Sequence, residues 1–193
     1  MIRIALLRHG HTSWNRAGRI QGRSDIPLDA EATSQLSGLE LPKDWRHAQV
    51  TSSPLNRAVQ TAQLVAGQDP EIVHALMEMN WGDWEGQRGA DLRAQGLAFK
   101  DIEDWGWNYT PPNGEAPANL RERLSDWLNG VSQDTIAVCH IGVMRVLLAM
   151  ATDWHFAGPA PFQVKRNRLY VLHLSGDQMT LAPDTPRLVA RTT

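Results

Sequence analysis

A single cysteine, Cys139, stands among the 193 residues. One thiol excludes a disulfide framework within the chain and argues against a thiolate zinc site. It fits a reducing compartment, so a cytoplasmic location is expected. Long apolar runs are also missing. The opening segment Met1 to Leu7 is apolar but is cut short by Arg8-His9, too early for a secretory signal, and nothing approaches the ~20 apolar residues of a membrane helix. Charge of one sign does not dominate either. Nineteen Lys and Arg stand against 21 Asp and Glu, a formal net charge of −2 with no basic run, so nucleic acid is not an expected partner. Phe and Tyr are scarce at three and two, yet there are eight Trp. Four of these fall between Met79 and Ala116, where Pro and Gly also gather.

The length suits one domain spanning residues 1–193, with a Trp-rich loop excursion at about 79–117. Ile2 to Leu7 reads as a buried strand that ends at Arg8-His9-Gly10. Asp29 is placed to cap a helix carrying Ala32, Leu36 and Leu39, and Ala48 to Ser52 reads as a further strand. Ser53-Pro54 predicts the start of a helix, with Ser as cap, Pro in the first helical position and Gly67 as the stop. Glu71 to Ala75 is strand-like, and one helix is expected near Ala90 to Lys100. Leu120, Leu124, Trp127, Leu128 and Val131 give an amphipathic helix. Thr135 to Cys139 is a β-branched strand ending at His140, followed by a helix over 142–152. Leu169 to Leu174, the turn Ser175-Gly176-Asp177 and Met179 to Ala182 form a terminal hairpin. The alternation predicts an α/β fold: a mostly parallel central sheet flanked by helices, with a C-terminal antiparallel hairpin.

Three predicted strands end in polar residues: Arg8-His9-Gly10, Ser52 to Arg57, and Cys139-His140. Ligands bind outside the carboxyl ends of strands in open α/β sheets. If these strands are parallel neighbours, two His and two Arg converge there. The set suits a phosphoryl group, because guanidinium forks hold its oxygens and an imidazole can accept phosphorus covalently. A proton donor for the leaving oxygen is still needed, and Glu78 is the best candidate, with Asp83 and Glu85 behind it. Burial of Glu78 against Trp81 or Trp84 would raise its pKa. Taken singly, each residue has a plainer reading: Arg-His-Gly as a turn, His140 as a core histidine, Arg57 as a solvated helix residue.

Together they resemble a known family. Leu7-Arg8-His9-Gly10-His11-Thr12-Ser13-Trp14-Asn15, with Gly18 to Gly22 and Asp25 to Leu28, is similar to the first block of the histidine phosphatase superfamily, the phosphoglycerate-mutase-like group. Ser52 to Ala62, Glu78 with Trp81 to Gly86, and Cys139 to Arg145 resemble the later blocks in the same order. The resemblance implies that His9 is phosphorylated, that Arg8, Arg57 and His140 hold the phosphoryl oxygens, and that Glu78 is acid and then base. It implies substrate contacts from Asn15, Gln21, Gly22 and Ile141. No metal and no cofactor are implied. Two positions depart from the pattern: His11 replaces a more usual carboxylate or other polar residue, and Ile141 replaces a small residue after the second His.

The expected function is hydrolysis of a small-molecule phosphomonoester through a phosphohistidine. Two alternatives stand beside it: a cofactor-dependent phosphoglycerate mutase, and a non-catalytic phosphate-binding or interaction module. The segment after Glu78 is short, with Arg88, Arg93 and Lys100 as its basic residues, which favours the phosphatase over the mutase. Pro111-Pro112-Asn113-Gly114-Glu115 is similar to a run in the α-ribazole phosphatase branch. The Trp cluster reads either as loop packing or as a wall for a nucleoside- or sugar-like leaving group. Neither a membrane nor a nucleic acid is expected as partner, and a homo-oligomer is left open.

Overall fold

The computed structural model describes residues 1–96, 99–176 and 178–191. Eight strands and six α-helices appear among them: β1 (Ile2–Arg8), α1 (Ser13–Arg16), α2 (Ala30–Ser37), β2 (Leu39–Glu40), β3 (Gln49–Ser52), α3 (Asn56–Ala66), β4 (Glu71–Ile72), α4 (Gly89–Ala94), α5 (Pro117–Gly130), β5 (Thr135–Cys139), α6 (Ile141–Thr152), β6 (Leu169–Ser175), β7 (Gln178–Leu181) and β8 (Val189–Ala190). The central sheet runs β4-β3-β5-β1-β6-β7, and a small pair, β2-β8, lies apart. β4, β3, β5 and β1 pair in parallel, whereas β6 and β7 are antiparallel. This is the expected architecture.

The middle of β1 (Ile4 to Leu7) and β5 from Ile136 to Cys139 are apolar and buried because both of their faces are covered. Side chains alternate across β1. Ile4 and Leu6 point into a core shared with α5, α6 and the Trp-rich excursion; Ala5 and Leu7 point into a second core against α2 and α3.

Several boundaries differ from expectation. α3 begins at Asn56, with Leu55 in the cap position and no side-chain cap. Ser53 and Pro54 therefore lie outside the helix, because the Ser53 hydroxyl is taken by His140 at 2.7 Å. Gly67 does end α3, at φ 69° in the left-handed region that favours glycine. Leu39 leaves the α2 helix to pair with Ala190. Of the segment Glu71 to Ala75, two residues are strand, and a 3₁₀ turn follows over His74–Leu76. α4 stops at Ala94; the remainder of the expected helix includes Leu97 and Ala98, which lie outside the described residues, as does Asp177 of the hairpin turn. Val131 caps α5 and does not continue it.

Candidate active site

Register explains why the site assembles. In the parallel β1–β5 pair Arg8 sits opposite Cys139, so His9 and His140 emerge side by side at the carboxyl edge. In the β3–β5 pair Ser52 sits opposite Val138, which brings Ser53 and the start of α3 to the same edge. The His9 and His140 rings lie 5.1 Å apart. β6 runs the other way, with Leu169 opposite Leu7. Residues just before Leu169 therefore reach this edge as well, and Arg166 is among them.

His9 is buried, and its Nδ1 lies 2.6 Å from the Gly10 carbonyl. A carbonyl only accepts, so Nδ1 carries the proton and Nε2 keeps a free lone pair. Burial, then the charges of Arg57, Arg8 and Arg166, hold its pKa well below the usual histidine value. The ring is neutral at neutral pH. The loop behind it is tied down, since the Gly10 N–H donates to Thr61 Oγ1 at 3.0 Å.

Arg57 is fully buried in the first turn of α3. Its guanidinium donates to the carbonyls of Gly22 (2.6 Å) and Ser24 (2.8 Å) and to His140 Nδ1 (3.3 Å). That last bond makes Nδ1 of His140 the acceptor, so Nε2 carries the hydrogen and donates to Ser53 Oγ. Burial, followed by the Arg57 charge, keeps His140 neutral as well. Arg8 lines the open cavity above. Burial and the neighbouring Arg166 and Arg145 pull its pKa down to about 9, so it stays protonated at neutral pH.

Glu78 is buried, with its carboxylate against the start of α6. The Gly142 and Val143 N–H groups donate to it at 3.0 and 3.3 Å, and the Met79 N–H at 2.8 Å. Burial raises its pKa, outweighing those bonds and the charges of Arg57 and Arg8. The direction is the expected one, and the polar partners of Glu78 are backbone N–H groups. Trp81 and Trp84 pack with each other and with Phe99, Trp105 and Tyr109 at centroid distances of 5.3 to 6.4 Å. The two reserve carboxylates are placed otherwise. Glu85 is held below its ordinary range by bonds from Ser24, Arg23 and Trp81, which prevail over its partial burial. Asp83 is exposed and bonded by Asn113.

The expected substrate contacts fall along one side of the site. Asn15 Oδ1 accepts from the Thr12 N–H (3.2 Å) and from Arg166 Nη2 (3.0 Å), which leaves its NH₂ group turned outward. Gln21 Oε1 accepts from Thr12 Oγ1, and its buried Nε2 has no partner among the described residues. Arg8 Nε is similarly unsatisfied. Buried donors without acceptors are rare, and these two suit an incoming anion. Gly22 contributes its carbonyl to Arg57, and a Cβ there would lie 2.1 Å from Glu85 Oε1. Ile141 and Arg8 line a cavity of about 290 Å³ together with Asn15, Gln21, Trp81 and Trp105. Trp81 and Trp105 thus both pack and wall the cavity, whereas Trp84 belongs to the core. His11 is half-buried, and burial, with Arg166, lowers its pKa.

Three arginines have no role assigned from sequence. Arg166 donates to the His9 carbonyl (3.2 Å) and to Asn15; its place before an antiparallel neighbour of β1 is the signal that could have found it. Arg123 donates to the carbonyls of Met77 (2.7 Å) and Glu78 (3.3 Å) and pairs with Glu115, fixing the segment that carries Glu78. It stands three residues after buried Leu120 and beside buried Leu124, on the inward side of α5. Arg145 lies on the cavity wall.

Comparison with known proteins agrees with this geometry. The profile of the histidine phosphatase superfamily (branch 1) matches residues 4–183. The chain belongs to that superfamily. It is 33% identical over 179 residues to an adenosylcobalamin/alpha-ribazole phosphatase of Salmonella typhimurium, covering 80% of this chain and 85% of the relative. It is 32% identical over 174 residues to a metal-independent phosphoserine phosphatase of Arabidopsis thaliana, covering 80% and 71%. The fold matches a phosphoglycerate mutase structure from Thermus thermophilus with a TM-score of 0.68, at 27% identity over 98% of this chain and all of that one. Membership of the superfamily, with relatives named as phosphatases, supports an enzyme. Among the described residues no helix is long and apolar enough to cross a membrane.

Proposed function

We propose that the chain hydrolyses a small-molecule phosphomonoester through a phosphohistidine on His9, in the manner of a histidine acid-type phosphatase, without a metal or cofactor. The observation that carries this reading is the geometry of His9, a buried ring whose Nδ1 donates to the Gly10 carbonyl and leaves the Nε2 lone pair free; burial of Glu78, which raises its pKa, supports it.

In the first step Nε2 of His9 attacks phosphorus and the bond from phosphorus to the ester oxygen breaks. Glu78 gives its proton to that oxygen, so an alcohol leaves and Glu78 becomes a carboxylate. In the second step Glu78 takes a proton from water as the water oxygen attacks phosphorus. The nitrogen–phosphorus bond breaks, phosphate leaves, and both residues return to their starting states. Arg8, Arg57 and His140, whose Nε2–H passes from Ser53 Oγ to the bound phosphate, stabilise the charge on the phosphoryl oxygens, the dominant need of phosphoryl transfer. Asn15 and Gln21 add donors from their unpartnered NH₂ groups. Relatives named for α-ribazole phosphate and phosphoserine support a small organic substrate. The buried single thiol, Cys139, is compatible with a cytoplasmic site of action.

His9→Ala is expected to abolish turnover of p-nitrophenyl phosphate while leaving the circular dichroism spectrum unchanged, and EDTA is expected to leave the wild-type rate unaltered. Wild-type turnover by His9→Ala, or loss with EDTA that a divalent ion restores, would overturn the reading.

A further inference from the structure

Arg145 is a cation for which the proposed chemistry has no use. It sits half-buried on α6 and lines the cavity of about 290 Å³ that also holds Arg8 and Ile141. An adjoining cavity of about 400 Å³ shares the same three residues and Ile102 and Glu103. No hydrogen bond or ion pair engages its guanidinium among the described residues. Its nitrogens are not among the buried donors left without a partner, so the guanidinium stays open to the cavity and free to meet an incoming anion.

The charge around the phosphoryl position points the same way. Arg57, Arg8 and Arg166 all bear on His9, and Arg145 bears in turn on Arg8. A phosphoryl group brings a charge of about −2, less than these four guanidinium groups carry. Arg93 and Lys100 also line the cavity, but Arg93 is already engaged with Asp101 and with the Phe99 ring.

We infer that Arg145 forms a second anion subsite, so that the preferred substrates of the proposed phosphatase carry a carboxylate or second phosphate near the ester. Arg145 lies five residues beyond His140, roughly 7 Å along the helix axis. Helical side chains slant toward the N-terminus, which brings the guanidinium back toward the phosphoryl position. A spacer of two or three carbons would span that gap. Ile141 lines the same cavity, one helical turn before Arg145, and suits a short, unbranched spacer. Glu103 opposes a second anion from the same wall; its charge bears on Arg145, though no ion pair joins the two among the described residues.

Three compounds with a two-carbon spacer test this: 3-phosphooxypropanoate, ethylene glycol bisphosphate and the uncharged carboxamide of 3-phosphooxypropanoate. The readout is the ratio of each anionic compound to the carboxamide, as kcat/KM for the wild type and as Kd by calorimetry for the non-turning His9→Ala chain. A ratio of about tenfold or more is expected, the size of a charge-assisted hydrogen bond. Arg145→Gln should bring it close to one, Arg145→Lys should retain part of it, and Glu103→Gln should increase it. Which anion gains more separates a carboxylate substrate from a bisphosphate. Ratios near one in the wild type and in His9→Ala overturn the subsite, as does an unchanged ratio in Arg145→Gln. If Arg145→Gln does not fold, the wild-type and Arg145→Lys ratios decide. Binding selectivity in His9→Ala with no turnover by the wild type would leave the subsite standing and remove the phosphatase mechanism instead.

Discussion

At the scale of single residues, the proposed mechanism rests on two pKa values moved toward each other. Free reference values put histidine near 6.5 and glutamate near 4.3, an order in which few molecules hold a neutral His9 and a protonated Glu78 together. Burial and three arginines lower His9, and burial raises Glu78. The proposed cycle needs pH above the His9 value and below the Glu78 value. Lowering the first moves the acid limb to lower pH, and raising the second moves the alkaline limb to higher pH. A bell-shaped profile is expected, with its optimum between weakly acidic and neutral pH. Glu78→Gln should slow phosphorylation of His9 by an alkyl phosphate about 10²-fold or more. With p-nitrophenyl phosphate, whose leaving group needs no proton, it should slow that step far less. Burst kinetics measure the step directly, and equal slowing for both substrates would take Glu78 out of the acid role.

At the scale of elements, strand ends and helix starts carry the candidate site, and this is largely legible in the sequence. The β-branched run Thr135 to Cys139 and the apolar run from Ile2 mark β5 and β1, and the polar residues after each mark the site. Ser53 misleads because a serine before proline looks like a helix cap until a tertiary partner, His140, claims its hydroxyl. Arg166, Arg123 and Arg145 escape notice because their value lies in contacts across 45 to 157 residues or in the cavity they face, which local pattern does not encode. The start of α6 gives a sharp test. A Cβ on Gly142 would lie 2.3 Å from Glu78 Oε1, so Gly142→Ala should push the carboxylate out of place. Alanine also favours a helix over glycine by about 1 kcal/mol, which offsets part of the strain. The variant is expected to lose about 10²-fold or more in turnover of alkyl phosphates while its urea midpoint moves little. Full activity would contradict the assigned contact.

At the scale of the whole molecule, the sheet must hold β1 and β5 in register for the two histidines to meet. Asp134 helps at the far end: it accepts from the Arg3 backbone N–H (2.8 Å), Nε (2.9 Å) and Nη2 (2.5 Å). The Arg3 bond holds Asp134 below the usual carboxylate value. Its contribution is therefore present above the unfolded pKa of about 3.9 and lost as pH falls through the lower folded value. Both side chains are partly exposed, so Asp134→Asn should cost only about 1 kcal/mol at neutral pH in urea unfolding. The difference from wild type should shrink below about pH 4, where the wild-type carboxyl also loses its charge; a gap constant with pH would mean that the packing and not the charge matters. The central claim concerns His9, and the most direct measurement is an alkaline quench of the enzyme during turnover, followed by peptide mass spectrometry. A phosphate on the peptide containing His9, stable in base, labile in acid and absent from His9→Ala, is the expected result. A wild-type chain that turns over substrate with no phosphate on His9 at any quench time, while the burst shows an intermediate, would contradict it.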